Sequence, residues 1–327
     1  MQGRPVYSYA AINSINALSK MLGEHKNNLL HFSKNSSHFY KEIFIPKKSG
    51  GTRLITNPHP KLKKIQRRIN KKILSKVTYP SFLHGSIKDV SFPRTPISNT
   101  RPHLKSKQVI ALDIENFYPS IEKKQIYFIF RKLFLFSPDV SELLTNLCSY
   151  NGRLPQGAPT SCYLSNLLFW DTEYNVVDFI KNINGNYSRY VDDVTISFPY
   201  KISQKTKREV IEKVIHMAKN KGCHISRRKT KIFCRGQNPA GFVITGVSIN
   251  HNNPSASKYY RREVRAQVHH VTNINPSAIS LREWLSLYNS VLGKLERLRQ
   301  LGHKEYLSLK SSIEQKRKSM EKQFSAP

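Results

Sequence analysis

Acidic residues are scarce in this chain: 21 Asp and Glu stand against 54 Lys and Arg over 327 residues, a formal net charge of +33. That excess goes far beyond what solubility needs and implies a polyanionic partner. Long hydrophobic runs are also missing. The apolar stretch Ile126 to Phe136 is interrupted by Arg131 and Lys132, so no segment reaches the length of a membrane-spanning helix. Met1 to Ala11 lacks the features of a signal peptide, which makes the expected location cytoplasmic. Cysteine is sparse. Cys148, Cys162, Cys223 and Cys234 show no metal-ligand spacing and read as reduced thiols. The pair His269-His270 reads as surface, not as ligands.

What is abundant is positive charge in particular places. From Lys61 to Lys72 the basic residues alternate with Leu62, Ile65, Ile69 and Ile73, without a single acid. This is an amphipathic helix with one cationic face. A merely solvated face would mix signs; this one suits a phosphate backbone. Basic residues recur at Lys258 to Arg265 and Arg282 to Lys322. Ile12, Ile15, Leu18, Leu22 and Leu29-Leu30 make a helical stripe near the start. Asn252 to Ser255 reads as a linker, and Lys258 to Phe324 as helical, with apolar spacing at Trp284, Leu287, Val291, Leu295 and Leu298.

Against this background a few acids are conspicuous. Tyr190-Val191-Asp192-Asp193 lies between two alternating runs, Tyr187 to Val191 and Val194 to Phe198. The pattern predicts a β-hairpin with Asp at the turn, where φ > 0 is tolerated. A solvated turn would account for an isolated Asp-Asp pair. Far upstream, the apolar strand from Val109 ends on Asp113, where a carboxylate is costly unless paired or metal-bound. Asp113 could instead cap a helix over Ser120 to Phe136, but Pro119 or Ser120 is the better start signal. Acids from two strand ends meeting at one point suit a pair of Mg²⁺ ions in phosphoryl transfer. A third segment, Gly152 to Ser161, is a Gly- and Pro-containing loop before an apolar helix from Cys162 to about Trp170. Either a nucleotide site or an ordinary loop into a core helix fits it.

These residues, in this order, resemble a reverse transcriptase, and within that superfamily a bacterial retron reverse transcriptase. Four further blocks share the resemblance. Ile45 to Ile55 resembles the fingers motif, followed by Pro58, Leu62-Lys63 and Gln66. Asn99 to His103, after His84-Gly85, resembles the retron Asn-Ala-x-x-His element, with Thr100 in place of Ala. Gly222 to Lys231 resembles the Lys-Thr motif, and Gly241 to Asn250 the primer-grip hairpin with its Val-Thr-Gly signature, here Ile244-Thr245-Gly246. Cys162 stands where Pro is common, Asn116 where Asp is frequent, and Val191 where Ala is commoner. The match spans roughly residues 43–250.

The resemblance implies an α+β right-hand polymerase. Residues 1–40 are an N-terminal helical region, 41–108 fingers, 109–250 a palm built on a split βαβ, ferredoxin-like sheet, with 122–152 a candidate return to the fingers, and 255–327 a helical thumb. It implies RNA-directed DNA polymerisation with two Mg²⁺ ions held by Asp113, Asp192, the less essential Asp193 and the Ile114 carbonyl. Lys229 is the implied general acid, although Arg227, Arg228 and Lys231 beside it also suit a nucleic-acid backbone. Lys47 and Arg53 would clamp the triphosphate, with Lys48 alongside in no distinct role, and Gln156 and Gly157 would line the pocket. Tyr118 is the expected gate against a ribose 2′-OH, a core aromatic being the other reading. Asn99, His103, Thr245 and Gly246 are expected RNA or primer contacts. The implied partners are a cognate structured noncoding RNA serving as template and primer, its branched RNA-DNA product, dNTPs and an effector protein in anti-phage defence. Another reverse transcriptase lineage, group II-like or diversity-generating, and a non-catalytic RNA-binding protein that keeps the fold are the alternatives. The length leaves no room for an RNase H, endonuclease or maturase-type extension, which argues against a complete group II intron protein.

Overall fold

The computed structural model describes residues 3–47, 50–89, 91–236 and 241–324. Lys48 and Ser49 of the fingers motif lie outside the described residues. The chain opens with helices Ile15–Leu22 and Lys26–Lys34. The first is capped by the Ser14 hydroxyl accepting from the Ala17 N–H and stopped by Gly23 at φ +61°. Of the predicted stripe, Ile12, Leu18, Leu22 and Leu29 are buried in the main core, and Ile15 and Leu30 pack partly buried against it. Strands β1 (Tyr40–Pro46) and β2 (Thr52–Pro58) form an antiparallel fingers hairpin, with Tyr40 opposite Pro58 and Pro46 opposite Thr52. The basic helix forms as Pro60–Lys72 and buries Leu62, Ile65 and Ile69 while Lys61, Lys64, Arg67 and Lys71 stay exposed.

The palm is one antiparallel sheet with a parallel addition. It comprises β3 (Leu83–His84), β4 (Gln108–Glu115), β5 (Asn186–Tyr190), β6 (Asp193–Phe198), β7 (His224–Ile225) and β8 (Lys231–Cys234). The central strand order is β5-β6-β4-β8, with β3 joining parallel to β5 and β7 pairing the end of β4. Helix Glu173–Asn182 precedes β5 and helix Gln204–Lys219 follows β6, which gives the β-α-β-β-α-β arrangement of a ferredoxin-like sheet. Strand β4 runs between two neighbours and buries Val109, Ile110, Leu112 and Ile114, which explains its nearly continuous apolar sequence.

A small sheet of β9 (Val243–Ile244), β10 (Val247–Ser248) and β11 (Ser255–Ala256) leads to the thumb. The thumb packs helices Lys258–Asn273, Leu281–Gln300 and Tyr306–Phe324 around Trp284, Val291, Leu295, Leu298, Ile313 and Met320. The Trp284 indole N–H donates to the Val271 carbonyl at 3.2 Å, so its burial leaves no donor stranded.

Several local expectations need correction. Helix Lys123–Phe128 starts at Glu122, not at Ser120 or Pro119. Glu122 and Gln125 form a capping box there, and the helix passes into a π turn at Ile129–Leu133. Pro119 and Ser120 belong to a separate short helix, Phe117–Ser120. Ser255 is a strand residue, so the linker ends before it. Leu287 is 37% exposed, and Tyr288 takes its place in the thumb core. Strand β3, within the segment read as fingers, belongs to the palm sheet.

Candidate active site

The hairpin turn joins β5 to β6, with Tyr190 opposite Asp193 and Val191-Asp192 as its two central residues. Its left-handed residue is Val191, at φ +58°, and not the aspartate expected there. A β-branched residue in that region costs about 1–2 kcal/mol, so surrounding bonds must hold it. The Val191 N–H donates to the His84 carbonyl at 3.2 Å, and the Asp192 carbonyl accepts the Ile114 N–H at 3.0 Å. These two bonds tie the turn to β3 on one side and to β4 on the other. Gly85, at φ +80°, lies beneath the turn: a Cβ there would stand 2.9 Å from both the Tyr190 ring and the Val191 side chain.

Asp113 faces Asp193 directly across the β4–β6 pair. The structure thereby brings the distant acid to the hairpin, three carboxylates at the meeting ends of two strands. Desolvation, then repulsion from Asp113, raises the Asp192 carboxyl above its ordinary range. Asp193 keeps solvent contact as a residue, yet desolvation of its carboxyl and repulsion from Asp192 and Asp113 push it up to about 7. Hard oxygen donors that repel one another this way fit a divalent cation. As placed, however, no three acidic, His or Cys side chains among the described residues stand close enough to hold a metal ion. The Lys229 ammonium contacts both Asp113 oxygens, at 2.9 and 3.1 Å, and supplies the counter-charge. Ile114 lends this site its backbone only, since its side chain is in the core.

The expected nucleotide residues gather on the fingers side. The Thr56 N–H of β2 donates to the Gln156 carbonyl at 2.8 Å. Gly157, at φ +128°, fits where a Cβ would meet Ile55 at 2.9 Å and the Thr56 carbonyl at 3.0 Å. The loop and the fingers hairpin are thus fastened together. Arg53 is exposed and close enough to Asp192 to lower its carboxyl, and Lys47 is exposed at the hairpin end. Phe44, opposite Leu54 on the same hairpin, is 66% exposed. Tyr118 is half-buried, with its hydroxyl 3.6 Å from the Cys162 sulfur. Burial, the thiol and the Asp192 charge raise its pKa, which keeps it neutral.

Asn99 and His103 do not fit a direct RNA contact, because neither has exposed surface. The two nitrogens of His103 bridge Ser197 on β6 at 2.7 Å and Ser188 on β5 at 2.8 Å. The element is a staple beneath the Asp192 hairpin. Thr245 and Gly246 do reach the surface and form the β9–β10 turn, at φ +46° and +75°. Arg297 of the thumb donates to the Thr245 carbonyl at 2.9 Å and packs on the Tyr260 ring, joining thumb to turn.

Sequence reasoning missed Arg297 and a buried ion pair, Arg189 with Glu173, on the back of the hairpin, and gave Gly85 no role of its own. The signal for the last was one arginine in the alternating run before the acids. For Arg297, one of many thumb cations, there was none.

A ferredoxin-like palm with acids at its paired strand ends, between a fingers hairpin and a helical thumb, is that of a right-hand nucleic-acid polymerase. The profile of the reverse transcriptase (RNA-dependent DNA polymerase) family matches residues 45–275. Retron Se72 reverse transcriptase of Salmonella heidelberg is 35% identical, over 95% of this chain and 81% of that protein. Retron Ec48 reverse transcriptase of Escherichia coli is 28% identical, over 94% and 77%. The chain belongs to the reverse transcriptases, RNA-directed DNA polymerases, and within them to the bacterial retron enzymes. Membership implies dependence on a divalent metal. Telomerase from Candida albicans, solved with a fragment of telomeric RNA, aligns with 84% of this chain and 55% of that one at 14% identity and a TM-score of 0.47. No described helix is long and apolar enough to cross a membrane.

Proposed function

We propose that this enzyme, working in the cytoplasm, copies a cognate structured noncoding RNA into DNA. Priming from a 2′-OH of that RNA gives a branched RNA-DNA product that serves anti-phage defence with an effector protein. The observation that carries the polymerase chemistry is Asp113 facing Asp193 across β4–β6, with Asp192 at the adjoining turn. Asp113 and Asp192 would hold two Mg²⁺ ions with the Ile114 carbonyl, and Asp193 would be secondary. When bound, such ions lower the pKa of the attacking hydroxyl and neutralise the departing pyrophosphate.

The chain's own residues do the rest. Lys47 and Arg53 take the triphosphate as a dNTP enters against Gln156 and Gly157. Tyr118 stands under the sugar and excludes a 2′-OH by volume. The attack is in line on the α-phosphate: a new O–P bond forms to the primer oxygen and the bond to pyrophosphate breaks. Lys229, 57% exposed and paired with Asp113, can turn toward the pyrophosphate and give it a proton. The turn Thr245-Gly246 supports the primer end, and the basic helices carry the RNA backbone. The retron subclass supports the branched product and the defence role, and the cation-rich surface supports the RNA partner.

The test is purification with bound nucleic acid, sequencing of the RNA, and extension on that RNA with dNTPs and Mg²⁺. The expected product is DNA joined to one internal RNA residue and released by a debranching nuclease. Extension only from a free 3′ end would overturn the branched priming. Polymerisation surviving Asp192→Asn would overturn the metal assignment.

A further inference from the structure

The turn that carries Asp192 is built at a conformational cost, and one side chain is placed to hold it. Arg189 lies on β5, fully buried, two residues before Val191. Its Nη1 donates to the Val191 carbonyl at 2.9 Å, next to the left-handed backbone. The other guanidinium N–H groups are spent in fixed directions. Nε and Nη2 clasp the two Glu173 oxygens at 2.6 and 2.7 Å, and Nη2 also reaches the Asn166 carbonyl at 3.0 Å. Glu173 is itself buried and accepts the Tyr187 hydroxyl at 2.7 Å. Asn166 sits in helix Ser161–Leu167, the helix that follows the Gln156-Gly157 loop, and its side-chain amide donates to the Gly85 carbonyl at 3.1 Å.

We propose that Arg189 is a positioning residue for polymerisation: a buried strut that locks the strained Val191 turn, and with it the Asp192 carboxylate, to the helix behind the nucleotide loop. This rests on the reading of Asp192 as a metal ligand. The physical grounds are three. A fork of five rigid N–H donors can fix one carbonyl only if its other donors are anchored, and here the anchors are a buried carboxylate and a helix carbonyl. A buried ion pair does little for stability compared with well-packed apolar residues, so stability alone is a weak reason for building one. The strained residue would relax toward an unstrained turn without its carbonyl bond, and carry Asp192 away from Asp113. The same contacts link metal turn and nucleotide pocket in one rigid body, so the carboxylate is in place before substrate arrives.

The experiment separates positioning from folding. Mn²⁺ binding to the full chain alone is followed by loss of the free-ion paramagnetic resonance signal. Primer extension gives the metal concentration for half-maximal rate, and melting temperature is recorded beside both. Three variants are compared: Arg189→Lys, which keeps the charge and loses the fork; Glu173→Met with Arg189→Met, which removes the pair and keeps apolar volume; and Val210→Ala, a cavity in the helix packed on the same sheet with no bond to the turn. Asp192→Asn is the reference for lost metal binding. The expected result is Mn²⁺ binding and half-maximal metal both weakened about tenfold by Arg189→Lys and by the double replacement. The double replacement, which strands the Tyr187 hydroxyl, and Val210→Ala should both melt earlier than the native chain, and of the two only Val210→Ala should keep native metal binding. If Arg189→Lys does not fold, the double replacement decides. Native metal affinity in a folded Arg189 variant, or an equal loss in Val210→Ala, overturns the strut. Undiminished Mn²⁺ binding in Asp192→Asn overturns the metal assignment instead.

Discussion

Acid should loosen this fold through His103, and by an amount that can be worked out. The imidazole is fully buried between Ser197 and Ser188, and desolvation, with a smaller push from His84, lowers its pKa from 6.5 to about 3. In the unfolded chain it titrates near its ordinary value. Between those two values the unfolded state binds the extra proton, so stability is present above pH 6.5 and is lost as pH falls toward 3. At pH 5 the deficit is roughly 2 kcal/mol, and by pH 3 roughly 4 kcal/mol, from about 1.4 kcal/mol per pH unit. That is a large share of a typical domain's stability. His84, lowered to about 4, adds in the same direction. Asp193, raised to about 7, acts oppositely, because its folded state takes up a proton first and gains stability as pH falls below 7. The total slope therefore mixes several groups, and the variant His103→Gln isolates one. Its amide can still reach the serines but does not titrate, so the substitution shifts all curves by a constant and removes one slope. Urea unfolding at pH 8, 7, 6 and 5 measures this. The wild-type loss from pH 8 to pH 5 should exceed the variant's by about 2 kcal/mol. Parallel curves for the two proteins would refute the buried-neutral assignment, and with it the staple under the Asp192 hairpin.

Further outcomes follow from other parts of the site. Tyr118→Ala should admit ribonucleotides in primer extension while leaving deoxynucleotide addition within about tenfold; an unchanged dNTP/rNTP ratio would remove the gate role. Gly85→Ala should slow extension and lower the melting temperature together, because its Cβ would stand 2.9 Å from the Tyr190 ring and the Val191 side chain at a φ of +80°. Neutralising Lys64, Arg67 and Lys71 to Gln should flatten the salt dependence of RNA binding, each lost phosphate contact taking about one unit from the log–log slope. An unchanged slope would make that helix an ordinary solvated face.

The legible parts of this protein were those where physics leaves a mark on a short stretch of sequence. A doubly buried strand must be apolar throughout, so β4 was visible, and its terminal acid stood out. A hairpin alternates, so β5 and β6 were visible. The basic helix announced itself through period and the absence of acids. What escaped was set by partners distant in sequence. Val191 takes φ > 0 although Asp192 is the better local candidate, because His84 and Ile114, arriving from other strands, and Arg189, anchored by the distant Glu173, fix the carbonyls and N–H groups around it. Asn99 and His103 were expected to contact RNA because their segment resembles the retron Asn-Ala-x-x-His element, whereas both are buried, His103 with its ring satisfied by two serines on β5 and β6. Glu173 belonged to an unremarkable amphipathic helix until the fold placed it against Arg189. The acids that meet at the strand ends are thus readable from the chain, and the bonds that hold their turn are not, since those run to backbone atoms, for which almost any sequence supplies the acceptor.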